Sequence, residues 1–268
     1  MDLNKELKSY LNSKSQITAW PSKIKNQLQV LLYLSNKFDW AKNYTEKEVN
    51  ELLEKYHTFK DPALLRRELY EKGFLDREAN GNNYWKKGNQ IPTSWESERL
   101  FVKDAKKEEI DDLQKIYDNC GYIGQWTGLD SKEDEPILTE FEHKNLPPQG
   151  IKELHRFQAI HLKKDEKIVG YFVFYHGFPE ETSFWIAILA IHTDFQKNKF
   201  GQEVIEQLTK EVKKLGVYQN IGLSVGIKNW PALRFWINTG FNEIIKFTGD
   251  NVYNEKAFAD LWLSQKLG

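Results

Sequence analysis

The sequence predicts an α+β fold in two parts: a small helical unit ending in a hairpin, then a larger domain whose mixed, mostly antiparallel sheet is flanked by helices. Three observations carry this reading. Residues Ser183–Ile191 form one apolar run, which a polar turn, Thr193–Gly201, joins to a long helix with Val204, Leu208, Val212 and Leu215 on one face. Upstream, His155–Lys163 and Lys167–Tyr175 have strand length and are separated by a charged turn. Before these, three helical segments with start signals precede an Asn80-Gly81 pair, a strong hairpin turn signal. The expected boundaries are 1–95 and 96–268.

The 268 residues include 38 basic and 39 acidic side chains, a net charge of −1 that does not single out nucleic acid as a main partner. Residues 1–95 hold 16 Lys and Arg against 12 Asp and Glu, a mild basic excess. Nine Trp and 14% aromatic content exclude a disordered chain. Cys120 is the only cysteine, so neither an internal disulfide nor a cysteine-based metal site is expected. The start, Met1–Lys14, lacks the apolar core of a signal peptide, and no run approaches a membrane span. A cytoplasmic protein with no membrane association is therefore expected, and a homodimer is compatible with the sequence.

In order, residues 4–11 are expected to form a short leading helix. A helix over 22–37 follows Trp20-Pro21, with Ile24, Leu28, Leu31 and Leu32 on one face. The next starts at Thr45, which with Glu48 makes a capping box. A third opens at Asp61-Pro62 and ends near Gly73. The hairpin pairs residues 74–77 with 84–86. Three helices and a hairpin in this order are the winged-helix arrangement, with Arg66 and Arg67 on the recognition helix and Lys86 and Lys87 ending the wing. These four are the candidate DNA contacts. The alternative is an ion-paired face, since Glu68, Glu71 and Asp76 are close. Residues 17–87 also resemble an uncharacterised bacterial domain family, through Tyr44–Asn50, Leu65–Leu69 and Leu75–Arg77 before Tyr84-Trp85.

After a linker with Gly88 and Pro92, the second part predicts a strand over 99–103, a helix over 106–119 and a short helix over 136–143. Beyond the long helix come a strand over 221–225, a helix over 230–238, a strand over 243–247 and a last element near 257–263. Between the first two helices lies Gly121–Gly128, in which Tyr122, Gln125 and Trp126 either line a substrate site or plug the surface.

A strand that feeds a helix through a tight turn aims free N–H groups and the helix dipole at one point, an anion site. Gln196-Lys197-Asn198-Lys199-Phe200-Gly201 fits the Q/R-x-x-G-x-G/A signature of the GCN5-related N-acetyltransferase (GNAT) superfamily, with Lys199 in place of the middle glycine. Asn229-Trp230-Pro231-Ala232, then Phe235-Trp236 and Gly240-Phe241, resemble the family's later motif. Residues 98–265 are thus similar to this superfamily in motifs and element order.

The resemblance implies an N-acetyltransferase fold and acetyl-CoA as cofactor. It places coenzyme A against Leu189, Ala190 and Ile191, against Gln196, Lys197, Asn198, Lys199, Phe200, Gly201 and Gln202, and against Asn229, Ala232 and Phe235. Leu189 and Ile191 would pair with pantetheine through their main chains. A lysine at 199 adds a cation but is not expected to take a glycine-only backbone conformation. The acceptor is expected to be a small-molecule primary amine. The position where many members keep a tyrosine acid is Trp236, and residues 184–191 hold no carboxylate base. His161, Glu140 and Glu142 remain as catalytic candidates. His176 and Glu181 fall at the far end of the strand. Tyr122, Gln125, Trp126, Trp185 and Trp236 are the aromatic and polar candidates for substrate lining, with core packing as the alternative for Trp185. The rival function is a DNA-binding regulator whose second domain senses acetyl-CoA.

Overall fold

The computed structural model describes residues 7–39, 42–87, 91–120, 126, 135–252 and 254–268. The described chain divides into two compact units, Met1–Ile91 with Leu215–Val217, and Pro92–Lys214 with Tyr218–Gly268.

The first unit holds α1 (Ile24–Ser35), β1 (Asn43–Tyr44), α2 (Glu46–Tyr56), α3 (Pro62–Glu71), β2 (Leu75–Arg77) and β3 (Tyr84–Lys86). The α2 start is the predicted box: Glu48 N donates to Thr45 Oγ1 at 3.3 Å, and Thr45 N donates to Glu48 Oε2 at 2.7 Å. Such a cap is worth about 1 kcal/mol. Asp61 caps α3 through Leu64 N at 2.9 Å. Val30, Leu31, Leu34, Val49, Leu53, Leu65 and Leu69 are fully buried. Two features escape the periodicity. The hairpin gains a third strand, in the order β1-β3-β2. Where a leading helix was expected, Leu7–Leu11 make a single turn, and Leu11 then bridges Ile17.

The second unit is built on an eight-stranded sheet. Its elements are β4 (Ser94–Glu96), β5 (Leu100–Asp104), α4 (Ile110–Asn119), α5 (Pro136–Phe141), β6 (His155–Leu162), β7 (Ile168–His176), β8 (Ser183–Ile191), α6 (Phe200–Leu215), β9 (Asn220–Gly226), α7 (Trp230–Asn238), β10 (Glu243–Gly249) and β11 (Ala259–Lys266). The strand order is β10-β11-β9-β8-β7-β6-β5-β4, antiparallel throughout except between β8 and β9. The mixed, mostly antiparallel sheet with flanking helices is the predicted fold class.

The segment read as linker is partly strand. Trp95 is buried, its Nε1 donating to Gln158 Oε1 at 2.9 Å, while Gln158 Nε2 donates to Pro92 O at 3.1 Å. Three residues are too short to show a period of two, so this edge is set by tertiary contact. The ambiguous last element is a strand, lying between β9 and β10.

Register assigns the two faces. On one, Leu113, Ile116 and Ile137 from α4 and α5 pack on Phe157, Ala159, Tyr171, Val173 and Ala190. On the other, Phe172, Phe174 and Phe184 are fully buried, with ring centroids 4.9 Å apart for 172/174 and 5.0 Å for 174/184. Among the described residues no helix is long and apolar enough to cross a membrane.

Candidate functional site

Strand β8 changes character halfway. Ser183–Ile186 pair with Asn220–Leu223 of β9, and the pairing stops there. At the same point the β7 register slips: Val173 faces Ile188 and Phe174 faces Ile186, leaving Ala187 as a bulge. The extra residue inverts the alternation. Ile188 and Ala190 turn to the α4/α5 core, while Leu189 and Ile191 line a cleft on the other side. Ala190, expected beside the cofactor, offers its side chain to the core rather than to the cleft. Its methyl is buried in the core.

The cleft has a volume of 470 Å³ and is lined by Trp126, Leu189 and Ile191, the turn residues Phe195, Gln196, Lys197 and Lys199, the α6 start Phe200–Gln202, and Asn229, Pro231, Ala232, Phe235 and Trp236. The two motifs, some thirty residues apart in sequence, thus form one wall. His192 N bonds Val169 O on the β7 side, so by alternation the main-chain groups of Leu189 and Ile191 face the gap. Gln196 Nε2 donates to Ile191 O at 2.9 Å, so that carbonyl is already engaged.

The turn itself alternates in backbone sign. Gln196 has φ −64°, Lys197 +62° and Lys199 +64°. Lysine does take the left-handed conformation here, contrary to expectation, at a cost of roughly 1–2 kcal/mol per residue. Gln196 is extended, at ψ 164°, and the two left-handed lysines then turn the backbone sharply, a shape that offers turn N–H groups to an anion. Asn198 serves this shape rather than pointing into the cleft: its Nδ2 donates to Phe195 O at 3.2 Å and Gln196 O at 3.1 Å. Asn119 Oδ1 accepts from Thr193 N at 3.0 Å, tying the turn to the end of α4.

Gly201 has a packing reason. A Cβ there would stand 3.3 Å from the Phe235 ring, so glycine lets the α6 start close on α7. Asn229 is buried and caps α7, its Oδ1 accepting from Ala232 N at 3.3 Å. Trp236 is wedged between Phe235 and Phe241, at 4.9 and 5.2 Å, and lies on the same wall as the cofactor candidates.

Arg99 was not anticipated. It reaches the turn from the β4–β5 connection, its Nη2 donating to Asn198 O at 3.1 Å and its Nε to Glu203 Oε2 at 2.7 Å. Burial pushes the Glu203 carboxyl up, but bonds from Ser97 Oγ and from Arg99 outweigh it and hold the group below its ordinary range. A hundred residues separate Arg99 from the turn, and no local signal links them.

The catalytic candidates lie elsewhere. His161 is buried, with Nε2 2.9 Å from Glu109 Oε1, and lines a separate cavity with Lys103 and Glu109. Glu140 is buried against His155 Nε2 at 3.1 Å, and His155 Nδ1 lies 2.8 Å from His143 Nδ1. Glu142 pairs with Lys144 at the surface. None of the three lines the cleft. His176 bonds Tyr218 Oη at 2.7 Å, and burial pushes its pKa down to about 3.

Of the substrate candidates, Tyr122 and Gln125 lie outside the described residues, and Trp126 lines the cleft. Trp185 is corrected to a supporting role. It is buried on the α4/α5 face, its ring lying on β9 where a Gly222 Cβ would be 3.0 Å away, and it packs on Trp262 at 4.8 Å.

The proposed DNA contacts are engaged within the first unit. Arg66 bonds Asn50 Oδ1 and pairs with Glu46 at 2.9 Å, Arg67 lies 3.9 Å from Glu71, Lys86 donates to Asn36 Oδ1 at 3.3 Å and Lys87 to Asp76 at 3.1 Å.

Residues 111–241 match the acetyltransferase (GNAT) family, and residues 16–86 match DUF2087, an uncharacterized family conserved in bacteria. A solved structure from Chromobacterium violaceum, described as a probable acetyltransferase of the GNAT family, superimposes with a TM-score of 0.54 at 12% identity over 69% of this chain and 91% of that one. An acetyltransferase from Thermus thermophilus gives 0.48 at 17% identity over 64% and 99%. No curated protein matches. At such identities the structural likeness speaks to the fold. The chain thus carries one segment that matches DUF2087 and another that matches the acetyltransferase (GNAT) family, and the cleft lies within the latter.

Proposed function

We propose that the second unit moves an acetyl group from acetyl-CoA to a primary amine of a small molecule in the cytoplasm. The observation that carries this is the half-unpaired β8, whose open main chain runs directly into a sharp turn at a helix start. Pantetheine is an extended amide chain and would lie along Leu189–Ile191 as an added strand. The pyrophosphate would sit in the turn, where Lys197 and Lys199 add charge to the N–H groups of α6. Phe235 and Ala232 would contact the arm.

The thioester then falls beside Ala187 and Ser224, where β8 and β9 part and both residues are exposed. Attack by the amine nitrogen forms the C–N bond, and collapse of the tetrahedral adduct breaks C–S. None of the described lining residues is a carboxylate or an imidazole. Proton movement is thus assigned to water and the released thiolate, with positioning supplying most of the rate.

The test is calorimetric titration with acetyl-CoA, followed by thiol release across amines, polyamines, aminoglycosides and amino acids. Binding with turnover of at least one amine is expected. Absence of acetyl-CoA binding would remove the reading.

A further inference from the structure

The α4/α5 side of the gap bears on the acceptor. There, β9 alternates sharply. Ile221, Leu223 and Val225 are buried on the α6/α7 side, whereas Gly222, Ser224 and Gly226 face the other way. Trp185 lies over Gly222, and Ser224 is the exposed one of the three. Across the strand pair, Ser264 faces Gly222, Trp262 faces Ser224, and Asp260 faces Gly226. Trp262 is half-buried, resting on Trp185 at 4.8 Å and Phe178 at 5.8 Å, and the Lys246 ammonium stands 4.9 Å from its ring centroid. The ring therefore already hosts a cation. Asp260 is half-buried, and among the described residues no hydrogen bond or ion pair engages it. A partly desolvated carboxylate without a cation is costly unless a ligand supplies one.

Resting on the acetyl-transfer reading, we propose that Asp260 and Trp262 form the specificity site of the acceptor, selecting an amine that carries a second, cationic group. The reacting nitrogen sits at Ser224, and the second ammonium pairs with the Asp260 carboxylate, beside the Trp262 ring that the Lys246 ammonium already meets. Ser224 and Asp260 are diagonal neighbours on paired strands, a separation of about 7–8 Å. A chain of about five carbons between two amines spans that distance. The substrate class is an aliphatic diamine, or a larger amine with the same spacing of charges. Burial holds the Asp260 carboxyl above its ordinary range, as befits a site awaiting its counter-ion.

The experiment is calorimetric titration of 1,5-diaminopentane and of pentylamine into the full chain saturated with coenzyme A, repeated in Asp260→Asn and Trp262→Leu. The diamine is expected to bind at least tenfold tighter than the monoamine, and Asp260→Asn to erase that difference. Thiol release should follow the same order, with the loss falling on KM. Equal affinity for the two amines, or a preference that survives Asp260→Asn, overturns the proposal. So does silence toward both amines in a protein that still binds acetyl-CoA, whereas lack of acetyl-CoA binding is read separately as failure of the cofactor site. Circular dichroism of Asp260→Asn guards against misfolding, and Asp260→Glu should recover part of the preference.

Discussion

The chain has two sets of basic residues that sequence alone treats alike, and they are set in opposite ways. Arg66, Arg67, Lys86 and Lys87 each meet an acid or amide of their own unit. Lys197 and Lys199 are held at positive φ on the rim of a cleft, beside a helix start. Cations bound to neighbouring carboxylates stabilise the unit that contains them. Cations held in a strained turn, with no carboxylate paired to them among the described residues, are placed for something that arrives. The difference teaches that counting charge is a poor guide to anion sites, and that backbone geometry is a better one.

Five variants sharpen or break that contrast. The largest effect is expected from Gly201→Glu, which sets bulk against Phe235 and a negative charge into the turn. Coenzyme A affinity should fall on the order of 100-fold, about 2.7 kcal/mol, by calorimetry. Next, Lys197→Ala with Lys199→Ala should weaken coenzyme A roughly tenfold and flatten the salt dependence of binding, while melting changes little. Unchanged affinity would make the turn's cations ornamental. In the first unit, Arg66→Ala should lower stability by about 1–3 kcal/mol, because Asn50 and Glu46 lose a part-buried partner. Arg67→Ala, on the exposed side, should stay within about 0.5 kcal/mol. Sequence-specific retardation of DNA by the intact protein, lost in both variants, would reverse this assignment.

The smallest effect concerns Glu203. Its folded carboxyl lies below its ordinary value of 4.5, so its contribution is present above that pH and lost as pH falls through the folded value. Glu203→Gln should therefore melt lower at neutral pH yet lose less on acidification. A variant with the wild-type acid limb would show that the Arg99 clamp does not matter to folding.

Much of this was legible in the residues. Long amphipathic or apolar segments such as 183–191 and 200–215 announce themselves because their period repeats several times. The turn and the Asn229 helix were legible as motifs, and they do share one cleft. The strand Ser94–Glu96 was not, being three residues held by Trp95 and Gln158 from a distance. Nor was Arg99, which reaches the turn from the β4–β5 connection a hundred residues away, nor Asp260, whose neighbours are set by the register of β11 on β9. His161 misled because an imidazole near the right strand end says nothing about which carboxylate it meets.

The bulge at Ala187 works like a shift of reading frame. One surplus residue decides that Leu189 and Ile191, rather than Ile188 and Ala190, look into the cleft. Were Ala187 instead to pair in line with Val173, plain alternation would exchange the two sets, sending Leu189 and Ile191 into the space that Ile188 and Ala190 fill. A strand of the same residues, run without the bulge, would keep its hydrophobicity and lose its site.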